Sequence, residues 1–275
     1  MCLVLFALDA HPRYSLVVAA NRDEWFDRPT DGAHFWPDNR ALLAGRDRQQ
    51  EGTWLGLTRG GRFSALTNYR APDEQRPNAP SRGQLVSAFL SSADAPATYL
   101  GNLTCVGGDY NGYNLLAGRV NSVGSGDSGC ELIYQSNRAA DLQPVAAGVH
   151  GLSNHLLDTA WPKVVRGRAN LSAAISTDHI DATTLFSILN DSAEADAESL
   201  PVTGVSAEWE RALSATHIHA VARQSTDGDR NYGTRSATVI LVERAGGVSF
   251  SERTFGIDGT VTRVHTERFT LTAPP

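Results

Sequence analysis

The chain has 275 residues, 41% of them hydrophobic and 20% charged, which are ordinary values for a folded globular protein and exclude a disordered chain. A formal net charge of -6, with Lys163 as its only lysine and no basic run, argues against a nucleic-acid partner. Its three cysteines, Cys2, Cys105 and Cys130, lack disulfide or CxxC spacing, so a reducing cytoplasmic setting is expected, and no stretch reaches the ~18 apolar residues of a transmembrane helix.

Residues 2–8 form an unbroken apolar run without the positive n-region of a signal peptide, and with the run at 15–20 they predict an antiparallel hairpin turning at His11-Pro12. The tetrad Asn21-Arg22-Asp23-Glu24 follows directly and is read as the polar cluster just beyond the second strand. A second hairpin is predicted over 53–57 and 63–67, turning through Arg59-Gly60-Gly61-Arg62, where glycine supplies a positive φ. From Ser81, a candidate N-cap, Leu85, Phe89 and Leu90 share a helical face, and the helix is expected to run on from 95 to 100. Strands are expected at 113–117, 130–134 and 145–149, with the Gly/Ser-rich 121–129 as a hairpin loop. Helices follow at 161–175 and 182–189, then an acidic solvated stretch at 191–199. The last third returns to strands at 218–222, 237–242, 248–252 and 269–271. Without internal repeats or a proline-rich linker, residues 1–275 read as a single α+β domain with stacked sheets.

Cys2 is the residue most suggestive of chemistry. A cysteine directly behind the initiator methionine becomes the first residue when Met1 is removed, and its thiol and α-amine then lie on one residue. The amine titrates near pH ~8, close enough to neutrality to act as the thiol's base. The same position also suits an ordinary buried strand cysteine. In the tetrad, Arg22 can hold a substrate carboxylate or favour the thiolate, and Asp23 or Glu24 can orient the amine. Asn68 and Asn154 are candidate oxyanion donors, because a fixed amide N–H stabilises developing negative charge without itself changing charge. Arg235 is a candidate anion clamp. His217 and His219 share a strand face but lack a third ligand at suggestive spacing, so no metal site is expected.

Cys2, Asn21-Arg22-Asp23-Glu24, Gly52-Thr53-Trp54-Leu55-Gly56, Leu66-Thr67-Asn68-Tyr69, Ser81-Arg82-Gly83, Tyr113-Asn114-Leu115, Gly151-Leu152-Ser153-Asn154 and Trp161-Pro162-Lys163 occur in order along the chain. Together they resemble the NRDE, or transport and Golgi organisation protein 2, family. The resemblance implies an N-terminal nucleophile hydrolase-like fold, a four-layer αββα sandwich of two antiparallel sheets between helical layers. Within the wider superfamily the chain is similar to cysteine amidases such as penicillin V acylase and conjugated bile acid hydrolase. That likeness implies Cys2 as nucleophile, Asn68 and Asn154 as oxyanion or amine-positioning residues, and Arg235 as a supporting cation. The order Asn21-Arg22-Asp23-Glu24 differs from the amidase order and leaves open which carboxylate meets the amine.

Two functions are implied. One is hydrolysis of the C–N bond of a small amide, which requires no cofactor. The other is binding and trafficking of non-covalent haem, or of a lipid or acyl-CoA, as an amphipathic anion in the same cleft. There Arg22, Arg70 and Arg235 would bind carboxylates while Trp25, Phe26, Trp54 and Tyr69 supply apolar walls.

Overall fold

The unbroken apolar run at the start of the chain is a strand covered on both faces. The computed structural model describes residues 2–120, 130–223 and 230–272. Its strands are β1 (Cys2–Leu8), β2 (Tyr14–Trp25), β3 (Thr30–Phe35), β4 (Leu42–Asp47), β5 (Leu55–Thr58), β6 (Arg62–Asn68), β7 (Tyr113–Val120), β8 (Cys130–Ser136), β9 (Gln143–Pro144), β10 (Gly148–Leu152), β11 (Val221–Arg223), β12 (Arg230–Glu243), β13 (Gly247–Phe255) and β14 (Val261–Thr270). The helices are α1 (Gly83–Ser91), α2 (Pro96–Val106), α3 (Pro162–Ala174), α4 (Ala182–Leu189) and α5 (Ala207–Ala212).

Two antiparallel sheets result. One runs β10-β1-β2-β12-β13-β14, with β11 also paired to β12, and the other β3-β4-β5-β6-β7-β8-β9. Side chains alternate along a strand, so β1 sends Val4, Phe6 and Leu8 into a core between the sheets and Leu3, Leu5 and Ala7 into a second core. That second core is closed by Val164 and Leu171 of α3 and by Leu185, Phe186 and Leu189 of α4. On the far side, Leu85, Phe89 and Leu90 of α1 and Leu100 and Leu103 of α2 pack on Leu115 and Ala117 of β7. The layer order is therefore αββα, as the resemblance implies. Each fully buried Leu or Phe contributes on the order of 1.5–3 kcal/mol through removal from water, and a strand buried on both faces has no place for polar alternation.

The β5–β6 turn is the predicted one. Gly61 has a φ of +79°, and a Cβ there would lie 2.2 Å from the Val120 carbonyl oxygen, so both backbone conformation and space call for glycine. The predicted loop at 121–129 lies outside the described residues. Among the described residues, no helix is long and apolar enough to cross a membrane.

The structure departs from expectation in several places: β3, β4 and α5 have no predicted counterpart, β12 and β14 begin earlier than expected, and Arg82 rather than Ser81 caps α1. The tetrad does not follow β2 but lies within it, because main-chain pairing to β1 and β12 carries the strand on to Trp25 after its side chains turn polar. Helix α1 stops at Ser91, Ser92 is extended, and α2 restarts with Pro96 in its first turn, where the missing N–H costs nothing. Strand β10 sits three residues later than expected, and β11 begins only at Val221, leaving His217 and His219 outside any strand.

His217 is nonetheless buried, with its ring against His219 at 5.3 Å and Phe255 at 4.8 Å. Burial pulls its pKa down from 6.5 to about 4. An unfolded histidine accepts a proton near pH ~6.5, so the unfolded state binds more protons between those values. The neutral ring's contribution is complete above pH 6.5 and is lost as pH falls toward 4. Urea unfolding of His217→Phe is expected to show a shallower loss of stability across that window than the parent protein; parallel curves would contradict this.

Candidate active site

The register of the first hairpin sets the site. Cys2 lies directly opposite Arg22, and Leu3 opposite Asn21. Directly opposed residues share a face, so Cys2, Arg22 and Glu24 continue the inter-sheet side of Val4 and Ala20. Asn21 and Asp23 continue the side of Ala19, toward the helices. The tetrad thus divides between two environments.

On the inter-sheet side the ends of both sheets enclose a cleft of about 290 Å³. Its walls include Cys2, Arg22, Glu24, Trp54, Asn68 and Arg82. Arg22 is 5% exposed, its guanidinium lies 4.3 Å from the Trp54 ring, and its nearest carboxylate is Glu24 at 3.8 Å. Its Nη1 is buried without a hydrogen-bond partner among the described residues. Arg28, which also lines the cleft, donates Nε and Nη2 to one oxygen of Asp47 at 2.8 and 2.6 Å, so its charge is locally compensated. One wall is the loop between β6 and α1. It is pinned where the Arg76 N–H donates to Asn111 Oδ1 at 2.8 Å and Asn111 Nδ2 donates back to the Arg76 carbonyl at 3.0 Å. Arg82 on this loop donates to the Gly112 carbonyl at 3.0 Å.

Cys2, at the start of β1, is half-buried at the cleft wall. Burial raises its thiol pKa and the Asp23 charge adds to the rise, while the positive charge of the chain terminus, most strongly, and the Arg22 charge act the other way. The thiol is thus predominantly protonated at neutral pH and needs a base to attack. Ser153 Oγ donates to the Cys2 carbonyl at 3.3 Å, tying the start of β1 to β10.

Behind the sheet lies a set of buried charges. Asp23 accepts a 2.7 Å hydrogen bond from the Thr234 hydroxyl, and its carboxyl pKa is raised by burial, with Lys163 the strongest opposing influence. Arg70 and Glu210 form an ion pair with both side chains 4% exposed, and Arg70 stacks 4.7 Å from the Trp161 ring.

The remaining candidates are distributed by the fold. Asn68, at the end of β6, lines the cleft. Asn154 is fully buried and donates Nδ2 to the Asn68 carbonyl at 2.9 Å, so it fixes the strand end that carries Asn68. Asn21 donates Nδ2 to the carbonyls of Leu189 and Thr216, both at 2.8 Å, and joins β2 to the helical layer. Arg235 occupies a bulge between Thr234 and Ser236, and its Nη1 donates to the carbonyls of Trp25 and Arg28 at 2.8 and 2.9 Å, stapling the turn after β2. It lies outside the cleft walls.

Of the carrier set, only Arg22 and Trp54 line the cleft. Arg70 is committed to Glu210, and Trp25 packs on Trp209 and Tyr232. None of the described histidines lines the cleft, leaving Cys2 as the one soft side chain there able to ligate iron. The volume is also at the bottom of the ~300–1,000 Å³ range of small-molecule pockets. The size of the cleft, rather than its donor set, argues against haem.

Sequence reasoning assigned no role to Arg82, Ser153 or Lys163, although all three fall in quoted motifs. The available signal for Lys163 was its status as the chain's only lysine, placed directly after a helix-starting proline.

The family model described as Transport and Golgi organisation 2 matches residues 1–256. The transport and Golgi organization protein 2 homolog of Bos taurus is 37% identical over 287 residues, covering 98% of this chain and 99% of the relative. That of Homo sapiens is 34% identical over 267 residues, 92% of each chain. Among solved structures, a mutant conjugated bile acid hydrolase from Clostridium perfringens covers 100% of this chain and 99% of its own, with a TM-score of 0.49 at 11% identity. An N-acylethanolamine-hydrolyzing acid amidase ortholog from Caenorhabditis elegans covers 69% of this chain and 86% of its own, with a TM-score of 0.46 at 10% identity.

Proposed function

Starting from a chain that belongs to the Transport and Golgi organisation 2 family, we propose that it is an N-terminal-cysteine amidohydrolase cleaving the C–N bond of a small amide. The observation that carries this reading is Cys2 at the wall of a cleft that Arg22, directly opposite it, and Asn68 also line.

In this mechanism Met1 is removed and the Cys2 α-amine takes the thiol proton as Sγ attacks the amide carbon. The Asn68 amide stabilises the oxyanion, the ammonium returns its proton to the leaving nitrogen, and the C–N bond breaks to leave a thioester. Water, deprotonated by the same amine, hydrolyses the thioester and restores the thiol. Asp23, next in β2 to the Arg22 that pairs with Cys2, is assigned to orient the amine. Glu24 is spent between Arg22 at 3.8 Å and Arg28 at 3.9 Å, and its Oε1 accepts from the Trp25 N–H. Asn154, Asn21 and Arg235 support the site by holding the strands that carry it.

The test is a panel of small N-acyl amides incubated with purified protein, with the thioester trapped and located by peptide mass. Turnover with acyl transfer to Cys2 is the expected result. A silent panel, together with a haem spectral shift that depends on Cys2, would move the assignment to the carrier. For a substrate that is turned over, Asn68→Ala is expected to lower kcat by roughly 10²–10³, the usual cost of one oxyanion donor. An unchanged kcat would remove Asn68 from that role.

A further inference from the structure

The cleft around Cys2 holds more positive charge than its own carboxylates neutralise. Arg22, Arg28 and Arg82 all line it. Arg28 is paired to Asp47 at 2.6 Å, while Glu24 lies 3.8 Å from Arg22 and 3.9 Å from Arg28, beyond hydrogen-bond distance of either. Asp23 also lines the cleft, but its carboxylate accepts from the Thr234 hydroxyl at 2.7 Å. Arg82 donates Nη1 to the Gly112 carbonyl at 3.0 Å and has no carboxylate partner among the described residues. Arg22, at 5% exposure, keeps a buried Nη1 without a hydrogen-bond partner. A guanidinium stays charged at neutral pH, and leaving its donors unmet away from water is unfavourable. Two such groups on one small cleft point to an anionic ligand.

The fold holds both groups at the thiol's side of the cleft. Arg22 is directly opposite Cys2 and stacks 4.3 Å from the Trp54 ring. Arg82 comes from the other wall, and its segment is seated on the one that carries Trp54. The Thr53 N–H donates to the Gly83 carbonyl at 3.2 Å, and a Cβ at Gly52 would lie 2.5 Å from the Gly83 carbonyl carbon. The motifs Gly52-Thr53-Trp54 and Ser81-Arg82-Gly83 are therefore one packed unit. The close approach of their backbones sets Arg82 near the ring on which Arg22 rests.

Three guanidiniums against the two carboxylates of Glu24 and Asp47 leave one positive charge, which matches a carboxylate better than a doubly charged phosphate. The planar fork of arginine suits the two oxygens of a carboxylate.

We propose that Arg82, acting with Arg22, is the specificity-determining residue of a carboxylate subsite beside Cys2, so that the substrate is a small amide bearing a carboxylate close to the bond that is cut. The amide in this inference rests on the hydrolase reading, whereas the carboxylate subsite can be tested without turnover.

The test compares alkylation of Cys2 by iodoacetate and by iodoacetamide in the purified protein, each followed on the Cys2 peptide by mass. The reagents deliver the same carbon and lose the same iodide, and differ in carrying a carboxylate or a neutral amide. Because both meet one thiol, any change in its ionisation cancels from the ratio of their rates. The exposed Cys105 serves as the reference within the same chain. The iodoacetate-to-iodoacetamide ratio is expected to be about tenfold higher at Cys2 than at Cys105, and Arg82→Gln should remove most of that excess. Equal ratios at the two cysteines, or an excess unchanged in Arg82→Gln, would overturn the proposal. Should Arg82→Gln not fold, protection of the parent protein decides. N-acetylglycine should slow iodoacetamide at Cys2 while N-acetylglycinamide at the same concentration does not, and equal protection by the two would overturn it. A silent amide panel alongside a raised ratio would count against hydrolysis and leave the subsite standing. Turnover of neutral amides with equal ratios at Cys2 and Cys105 would remove the subsite and leave hydrolysis in place.

Discussion

Cys2→Ala is expected to lower kcat/KM for any amide that the protein cleaves by about 10⁴-fold or more, the scale of loss when a covalent nucleophile is removed. The side chain is half-buried at a cleft wall, so its removal leaves the cores intact. The stability change should stay within about 1 kcal/mol. That pairing of a large kinetic loss with an almost unchanged unfolding midpoint identifies a residue used in chemistry. Cys2→Ser should be nearly as inactive, because a serine hydroxyl at the same place is much harder to deprotonate with an α-amine titrating near pH ~8. Kinetics with purified variants and urea unfolding of the same samples check both halves. Retention of amide turnover in Cys2→Ala would end the nucleophile assignment.

The second large effect is on stability. Glu210→Ala removes the carboxylate that meets the Arg70 guanidinium, at a place where both side chains are 4% exposed. It also removes the oxygen that accepts hydrogen bonds from the Thr203 N–H and hydroxyl at 2.9 and 2.5 Å. The guanidinium keeps its charge but loses the counter-ion that compensates its burial. Breaking one side of such a buried pair costs about 3–5 kcal/mol, which in a chain of this size lowers Tm by on the order of 10 °C. Removing both charges at once, as in Arg70→Met/Glu210→Met, should recover much of that loss, since apolar side chains of similar volume need no counter-charge. Calorimetry on the single and double variants reads the difference, and equal destabilisation of the two would contradict it. The Arg70 N–H also donates to the Asn154 carbonyl at 2.8 Å, and Asn154 holds Asn68. The single variant should therefore loosen the cleft as well as the fold.

The layers were legible in the sequence because burial on both faces leaves a plain mark. Residues 2–8 are apolar without alternation, and α1 and α4 carry apolar faces at helical spacing. The central strands were harder to bound. The strand β2 goes on through Asn21-Arg22-Asp23-Glu24 because its main chain is paired on both sides, and pairing is not visible in side-chain polarity. The strand β12 likewise begins at Arg230, seven residues before its apolar run starts, and α5 is too short for a periodic signal.

The site divided along the same line. Cys2, Arg22 and Asn68 converge because strand ends converge, and their residue types suggested the chemistry. Asn21, Asn154 and Arg235 are chemically equivalent candidates on paper. Their amides and guanidinium are instead spent on carbonyls of Leu189, Thr216, Asn68, Trp25 and Arg28, partners distant in sequence or reached only through a bulge. The assignment of Asp23 rather than Glu24 to the amine likewise depends on register. One residue along a strand exchanges the cleft for the helical layer.

Whether Cys2 supplies both thiol and α-amine is read most directly from the intact mass of the purified protein. A mass lower by one methionine than that of the 275-residue chain is expected. A mass that retains Met1 would contradict it, because the amine would then lie one residue away from the thiol it is required to deprotonate.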